Sequence, residues 1–261
     1  MRIAAGVEYC GSAFHGWQRQ EKQRNVQQCV ETAFSRVADH SITIHCAGRT
    51  DAGVHALQQV IHFDTSVERE IHSWVLGANV NLPKDIGINW AILVDEDFHA
   101  RFSATGRVYR YIILNRRSRP AVFNKLVAWE HQPLNEILMS EAATTLVGEH
   151  DFTSYRAQAC QAKSPVREVR RLEVSRDGDV IIIEVEANAF LHHMVRNIAG
   201  VLMMIGMGRE NVDWAKQVLD ARDRTMGGIT APPDGLYLTD VHYPEKYPLP
   251  KNKAGHWILR N

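Results

Sequence analysis

The sequence predicts an α+β fold of two ferredoxin-like (β-α-β-β-α-β) halves that share an antiparallel sheet, with helices packed on one face. Three observations point there. Apolar periodicity switches between two and about 3.6 residues in the split βαβ order. The same order recurs in the second half of the chain, with one extra helix inserted. Apolar runs such as Val201 to Ile205 are far too short to cross a bilayer.

The elements follow in order. Arg2 to Cys10 alternates, with Ile3, Ala5, Val7 and Tyr9 on one face, and reads as a strand. A loop with two glycines and two aromatics, Gly11 to Gln20, comes next. Asn25 reads as a helix N-cap, with Gln28 three residues on. Val26, Val30, Ala33, Phe34 and Val37 form one helical stripe behind it. Ile42 to Cys46 and Gln58 to Asp64 read as strands. Glu70 to Asn79 reads as a helix that stops before Pro83, and Ile86 to Val94 as a strand. Residues 1–104 make the first expected domain.

The second expected domain is residues 105–261. Arg107 to Leu114 is strand-like. Asn135 to Val147 has Ile137, Leu138, Ala142 and Leu146 at helical spacing, with Gly148 at its end. Val166 to Val174 and Val180 to Ala187 are strands joined by Arg176-Asp177-Gly178-Asp179, a hairpin signal. His192 to Met207 is a helix, with Val195, Ile198, Ala199, Leu202 and Ile205 on one face. A short helix over Val212 to Ala221 and a last strand, Leu236 to His242, complete the pattern. The tail, Tyr243 to Asn261, is expected to wrap the surface. The face without helices, or the seam between halves, is left for a large substrate.

Composition narrows the class. Apolar content of 45% and charged content of 23% are those of an ordinary globular protein. The acidic Glu8 interrupts the place where a signal peptide's apolar segment would continue, so a cytoplasmic location is expected. Cys10, Cys29, Cys46 and Cys160 form no Cys-x-x-Cys pair and read as reduced thiols. Thirty basic side chains balance thirty acidic ones, so a polyanion site has to come from segregated charge. The arginines gather in three groups, Arg101/Arg107/Arg110, Arg116/Arg117/Arg119 and Arg167/Arg170/Arg171.

The sharpest local signal is Ala47-Gly48-Arg49-Thr50-Asp51-Ala52-Gly53-Val54-His55-Ala56. Two glycines around one carboxylate permit positive φ and close backbone approach, which would push Asp51 into a cleft. The plainer alternative is a turn, with Asp51 bonding its own backbone. Arg49, two residues earlier, falls on the same side of an extended segment.

These residues resemble the catalytic motif of the tRNA pseudouridine synthase A family. Gly16-Trp17-Gln18-Arg19-Gln20, Asn79-Val80-Asn81-Leu82-Pro83, Phe98-His99-Ala100-Arg101-Phe102, Tyr109-Arg110-Tyr111, Asp151-Phe152-Thr153, Met194-Val195-Arg196-Asn197 and Gly235-Leu236-Tyr237-Leu238 also match, in the family's order. Cys10 departs from it, standing where the family usually has Asp before Gly-Ser, and is expected to shape the loop.

The resemblance implies a homodimer acting on uridine in the anticodon arm of tRNA, with no metal and no small-molecule cofactor. Isomerisation breaks N1–C1′ and joins C5 to C1′ without redox or phosphoryl transfer. It needs a carboxylate at the sugar–base junction, and Asp51 is the candidate. Attack at C1′, attack at C6 and removal of a sugar proton all remain open to it. A desolvated carboxylate needs a cation to stay ionised, and the family motif assigns Arg196. Such a pair would also lock the two halves together.

A stacked target base must be flipped out. Arg49 would fill the vacated space or hold a phosphate, and the resemblance implies the former. Tyr109 would stack on the uracil and reach C5. Tyr111 shares its face, and the family pattern selects Tyr109. Phe98, His99, Ala100, Arg101 and Phe102 match a segment lining the RNA groove; Arg69, Arg117 and Lys163 are further basic candidates. His192 and His193 read as loop-to-helix packing residues rather than a metal pair.

Two other readings compete. One is a non-catalytic RNA-binding protein of tandem ferredoxin-like units, but an aromatic RNP1 motif is missing. The other is a hydrolase using Cys46 or Ser12, but neither sits in an elbow or oxyanion motif.

Overall fold

The structure, a computed structural model, describes residues 1–158 and 160–250. The final stretch of the tail, 251–261, therefore lies outside the described residues. The chain is α+β, with five α-helices among the described residues. It divides into two compact units, Met1–Thr105 with Tyr237–Asn261, and Gly106–Leu236.

The first unit runs β1 (Arg2–Tyr9), α1 (Val26–Ala38), β2 (His45–Cys46), β3 (His55–Asp64), α2 (Ile71–Asn81) and β4 (Ile86–Val94). β1 lies between β4 and β3, antiparallel to both, and β2 pairs antiparallel with β3. Ala5 faces Ile61 on one side and Ala91 on the other. α1 begins where the Asn25 side chain accepts the Gln28 N–H at 2.9 Å, a cap that satisfies a donor the helix leaves open. Phe34 of this helix meets Phe63 of β3 at 4.7 Å between ring centroids, and Trp74 of α2 closes the cluster 5.5 Å from Phe63.

The expected strand from Ile42 shrinks to His45–Cys46. Ile42 and Ile44 are buried as their alternation requires. Their N–H groups, however, donate to Ser35 Oγ at 2.9 Å and Glu31 Oε1 at 3.2 Å rather than to a neighbouring strand. β3 starts at His55, three residues before the expected Gln58, because Ala56 already pairs with Tyr9.

The second unit holds β5 (Gly106–Asn115), β6 (Ala128–Glu130), α3 (Glu136–Thr144), β7 (Gly148–Asp151), β8 (Val166–Asp177), β9 (Val180–Ala187), α4 (Met194–Gly206) and α5 (Trp214–Ala221). Its strands run β5-β9-β8-β7, each pair antiparallel. β8 and β9 meet through Gly178-Asp179 alone, Asp177 pairing with Val180 and Gly178 taking a φ of 55°. α4 starts at Met194, because His193 before it is left-handed. β6 and β7 have no apolar alternation and were not expected.

β10 (Leu236–His242) follows. Here two expectations are corrected. The sheets are not purely antiparallel, since β10 pairs parallel with β3 at Tyr237↔His55 and β6 parallel with β5 at Ile113↔Ala128. Nor does residues 105–261 form one unit. The pairing with β3 returns the chain from Tyr237 onward to the first unit.

In the second unit Glu184 on β9 bridges Arg110 on β5 and Arg171 on β8. Burial pushes its carboxyl up, but the two guanidiniums outweigh burial and hold it below the usual carboxylate range. Glu184→Gln leaves the two arginines facing each other and should cost about 1–3 kcal/mol. A depressed folded-state value means the stabilisation is complete above the unfolded-state value and fades as pH falls through the folded one. Urea titrations should therefore show the wild-type advantage at neutral pH and its loss below about pH 4. An equal gap at both pH values would contradict the assignment.

Candidate active site

The loop between β2 and β3 is held by its own backbone and by buried polar side chains. Gln59 of β3, fully buried, grips the Gly48 peptide from both sides. Its Oε1 accepts the Gly48 N–H at 3.3 Å and its Nε2 donates to the Gly48 carbonyl at 2.6 Å. Thr50 turns inward, its hydroxyl 2.7 Å from the Tyr9 hydroxyl. The Val54 N–H donates to the Asp51 carbonyl at 3.2 Å, and Gly53 between them has a φ of 81°. Asp51 thus opens a tight turn whose third residue needs the left-handed conformation. The side chain of Asp51 is half-buried and that of Arg49 exposed.

The loop after β1 braces this turn. Trp17 N–H donates to the Thr50 carbonyl at 3.0 Å, and Gly53 N–H to the Phe14 carbonyl at 3.3 Å. Gly16 has a φ of 86°, and a Cβ there would lie 2.7 Å from Thr50 O. A Cβ on Gly11 would lie 2.0 Å from Val54 O. His55, buried, accepts the Gly11 N–H at Nδ1 at 3.0 Å and stacks on Tyr237 at 4.5 Å. Cys10 does shape this loop. Its Sγ lies 3.3 Å from Ser12 Oγ, and its thiol is drawn down to about 7, chiefly by a hydrogen bond with His55. Sequence reasoning assigned no role to Gln59, His55, Gly11 or Gly16. The glycine pair before Trp17 was the available signal.

The segment after β4 carries five more of the expected residues. Phe98 and Ala100 are buried, His99 is half-buried, and Arg101 and Phe102 are exposed. Nearly every backbone polar group of this turn has a partner. Arg2 donates to the Phe98 carbonyl at 2.9 Å, and Ser103 Oγ accepts the His99 N–H at 3.0 Å. His62 Nδ1 accepts the Ala100 N–H at 3.1 Å, and the Tyr243 hydroxyl donates to the Ala100 carbonyl at 2.6 Å. His99 Nδ1 accepts the N–H groups of both Arg101 and Phe102, at 3.1 and 3.3 Å. His45, His62 and His99 pack ring to ring, 4.6 to 5.2 Å apart. Burial pushes the Cys46 thiol up to about 12, with Arg49 and Arg101 both pulling against it. Arg69 is exposed in the loop between β3 and α2.

In the second unit Tyr109 is buried and meets Phe190 edge-on at 5.0 Å. Tyr111, fully buried, donates its hydroxyl to Pro232 O at 2.9 Å. Burial lifts its pKa well above the usual phenol range. Tyr111 is thus committed to the fold. Arg196 lies in the first turn of α4, its Nε donating to Ala231 O at 2.8 Å while its own carbonyl accepts the Ala231 N–H at 3.1 Å. Gly200, one turn on, allows that approach, since a Cβ there would lie 1.9 Å from Ile229 O. Asn197, given no role of its own within its motif, accepts the Thr230 hydroxyl at 2.7 Å and donates to Tyr155 O at 2.8 Å. Arg117 and Lys163 sit in separate exposed loops. His192 is exposed, its ring 4.0 Å from that of His193, and His193 precedes α4 with a left-handed φ of 62°.

Gly16→Ala would force a left-handed alanine against the Thr50 carbonyl. It should lower stability by about 1–3 kcal/mol, and the Gly53 and Val54 amides should exchange with solvent faster than in the wild type. Unchanged exchange at both amides would show that the first loop does not brace the second.

The sequence pattern of the family described as tRNA pseudouridine synthase matches residues 5–103 and 142–244. The tRNA pseudouridine synthase A of Nitrosococcus oceani is 60% identical over 251 residues, covering 96% of this chain and 97% of that protein. That of Alcanivorax borkumensis is 54% identical over 255 residues, with 97% and 96% covered. That of Coxiella burnetii is 54% identical over 258 residues, with 99% of each covered. Matches this deep over nearly the whole length show that the chain belongs to the tRNA pseudouridine synthase family.

Proposed function

We propose that Asp51 is the carboxylate through which this enzyme isomerises uridine to pseudouridine in the anticodon arm of tRNA. The isomerase activity follows from family membership. The role of Asp51 rests on its own loop, where a braced turn fixes one half-buried carboxylate beside an exposed arginine. The reaction balances without a redox partner. The N1–C1′ bond breaks, C5 joins C1′, the C5 proton passes to water and N1 gains a proton.

The other residues take parts in the same scheme. Tyr109 is assigned the uracil ring and C5, in preference to Tyr111, whose hydroxyl is occupied by Pro232. Arg196, its Nε held by the Ala231 carbonyl, is assigned as the countercharge to Asp51. Arg49 fills the place of the flipped base. Arg69, Arg101, Arg117 and Lys163 contact phosphates, which position the RNA without reading its sequence. Each half is read as ferredoxin-like; in the first, the order β4-β1-β3-β2 supports that reading. A homodimer working in the cytoplasm without cofactor completes the proposal.

The test uses tRNA tritiated at C5 of its uridines. The wild type should release tritium to water, and Asp51→Ala should reduce release by roughly a thousandfold or more while tRNA binding stays largely intact. Release at the normal rate from Asp51→Ala would remove Asp51 from the chemistry.

A further inference from the structure

Among the described residues the guanidinium of Arg224 meets only neutral acceptors. Its Nη2 donates to Asn197 Oδ1 at 3.2 Å and to Thr230 Oγ1 at 3.0 Å, and its Nη1 to Gly227 O at 3.3 Å. The half-buried side chain thus acts as a fork rather than as half of an ion pair, a use that suits the planar donor set of arginine. The base of the fork is fixed too. Asp223, just before it, donates its N–H to the hydroxyl of the buried Ser154 at 2.8 Å, and its carboxylate accepts the Thr225 N–H at 2.8 Å.

Two neighbouring pairs of residues are joined by this fork. Thr230 donates its hydroxyl to Asn197 Oδ1 at 2.7 Å, so Arg224, Thr230 and Asn197 close a ring of three hydrogen bonds. Arginine only donates, so the Thr230 oxygen must accept from Arg224 and its hydrogen must point at Asn197. Asn197 is 3% exposed and is tied in turn to Tyr155 O at 2.8 Å. Next to Thr230 stands Ala231, and next to Asn197 stands Arg196. Ala231 donates its N–H to Arg196 O at 3.1 Å and accepts Arg196 Nε at 2.8 Å. An arginine has one Nε–H, and its guanidinium is planar. The place of the Ala231 carbonyl therefore sets the direction of that plane.

We infer that Arg224 is a positioning residue for the isomerisation, tying Thr230 to Asn197 so that Ala231 holds the Arg196 guanidinium in one orientation. The inference rests on the role proposed above for Arg196 and adds a residue that acts only through it. A cation that stabilises charge as it develops works best when it needs no rearrangement at that moment. Without the fork, the segment from Gly227 to Thr230 keeps one bond to Asn197 instead of three anchors, and the carbonyl that aims Arg196 is free to shift.

The experiment measures single-turnover tritium release and tRNA affinity of the full-length protein in a double-mutant cycle. Arg224→Met removes the fork and keeps an unbranched apolar side chain. It should slow release roughly tenfold to a hundredfold and leave tRNA affinity within about twofold. Arg196→Lys keeps a cation but has no Nε–H for Ala231, so it should be slow by itself. Adding Arg224→Met to it should then change the rate by less than about twofold, because residues that act as a unit are not additive. Three results would overturn the inference: Arg224→Met at the wild-type rate, Arg196→Lys at the wild-type rate, or Arg224→Met slowing both backgrounds by the same factor. If Arg224→Met does not fold, Thr230→Val takes its place in the cycle, and the same outcomes decide. Failure of the parent reading looks different, since an Arg196→Ala enzyme that releases tritium at the wild-type rate would remove Arg196 from the chemistry and the inference with it.

Discussion

A buried amide on β3 closes on the peptide of Gly48 with two hydrogen bonds, and the role proposed for Asp51 depends on that closure. Gln59 is fully buried and has little freedom to swing. A buried amide whose partner moved would be left unsatisfied, at a cost of about 1–3 kcal/mol. The loop's entry is therefore fixed. Its exit is fixed by the turn from Asp51 to Val54, and its middle by Thr50 against Tyr9. A carboxylate proposed to act on one bond of a flipped nucleotide would gain from a backbone that does not wander.

The same device recurs in the second unit. Arg196 and Ala231 exchange hydrogen bonds, Asn197 holds Thr230, and Gly200 lets the two segments touch. The turn carrying Phe102 is tied down by imidazole acceptors. In each case a charged or aromatic tip is presented by a backbone whose polar groups are already satisfied. Such sites are stiff because leaving any one group unpaired is expensive in a low-dielectric interior.

Much of this was legible in the residues. Asn25 announced α1, and the alternation of Ile86 to Val94 gave β4 at its observed ends. Glycines at 48 and 53 marked a special turn before any coordinate did. What stayed hidden is long-range. The strand pattern over Ile42 to Ile44 was genuine, but Ser35 and Glu31 took the backbone donors that would have made a ladder. β7 is Gly-Glu-His-Asp, with nothing apolar to alternate. β10 returned to β3 rather than staying with the half that precedes it, and no local pattern encodes a partner strand. In β3 itself, His55, Gln58, Gln59 and His62 are all buried. A polar residue in a strand ordinarily reads as facing water, so His55, Gln59 and His62, the three that organise the loops, looked like surface.

The most direct test of this account is the single-turnover rate of tritium release by Gln59→Leu. The substitution keeps apolar bulk on β3 and removes both bonds to Gly48. With tRNA affinity near that of the wild type, the rate should fall roughly a hundredfold, the scale expected when a reacting group is displaced by about an ångström. A Gln59→Leu enzyme that folds normally and turns over at the wild-type rate would show that the grip on Gly48 does not aim the carboxylate.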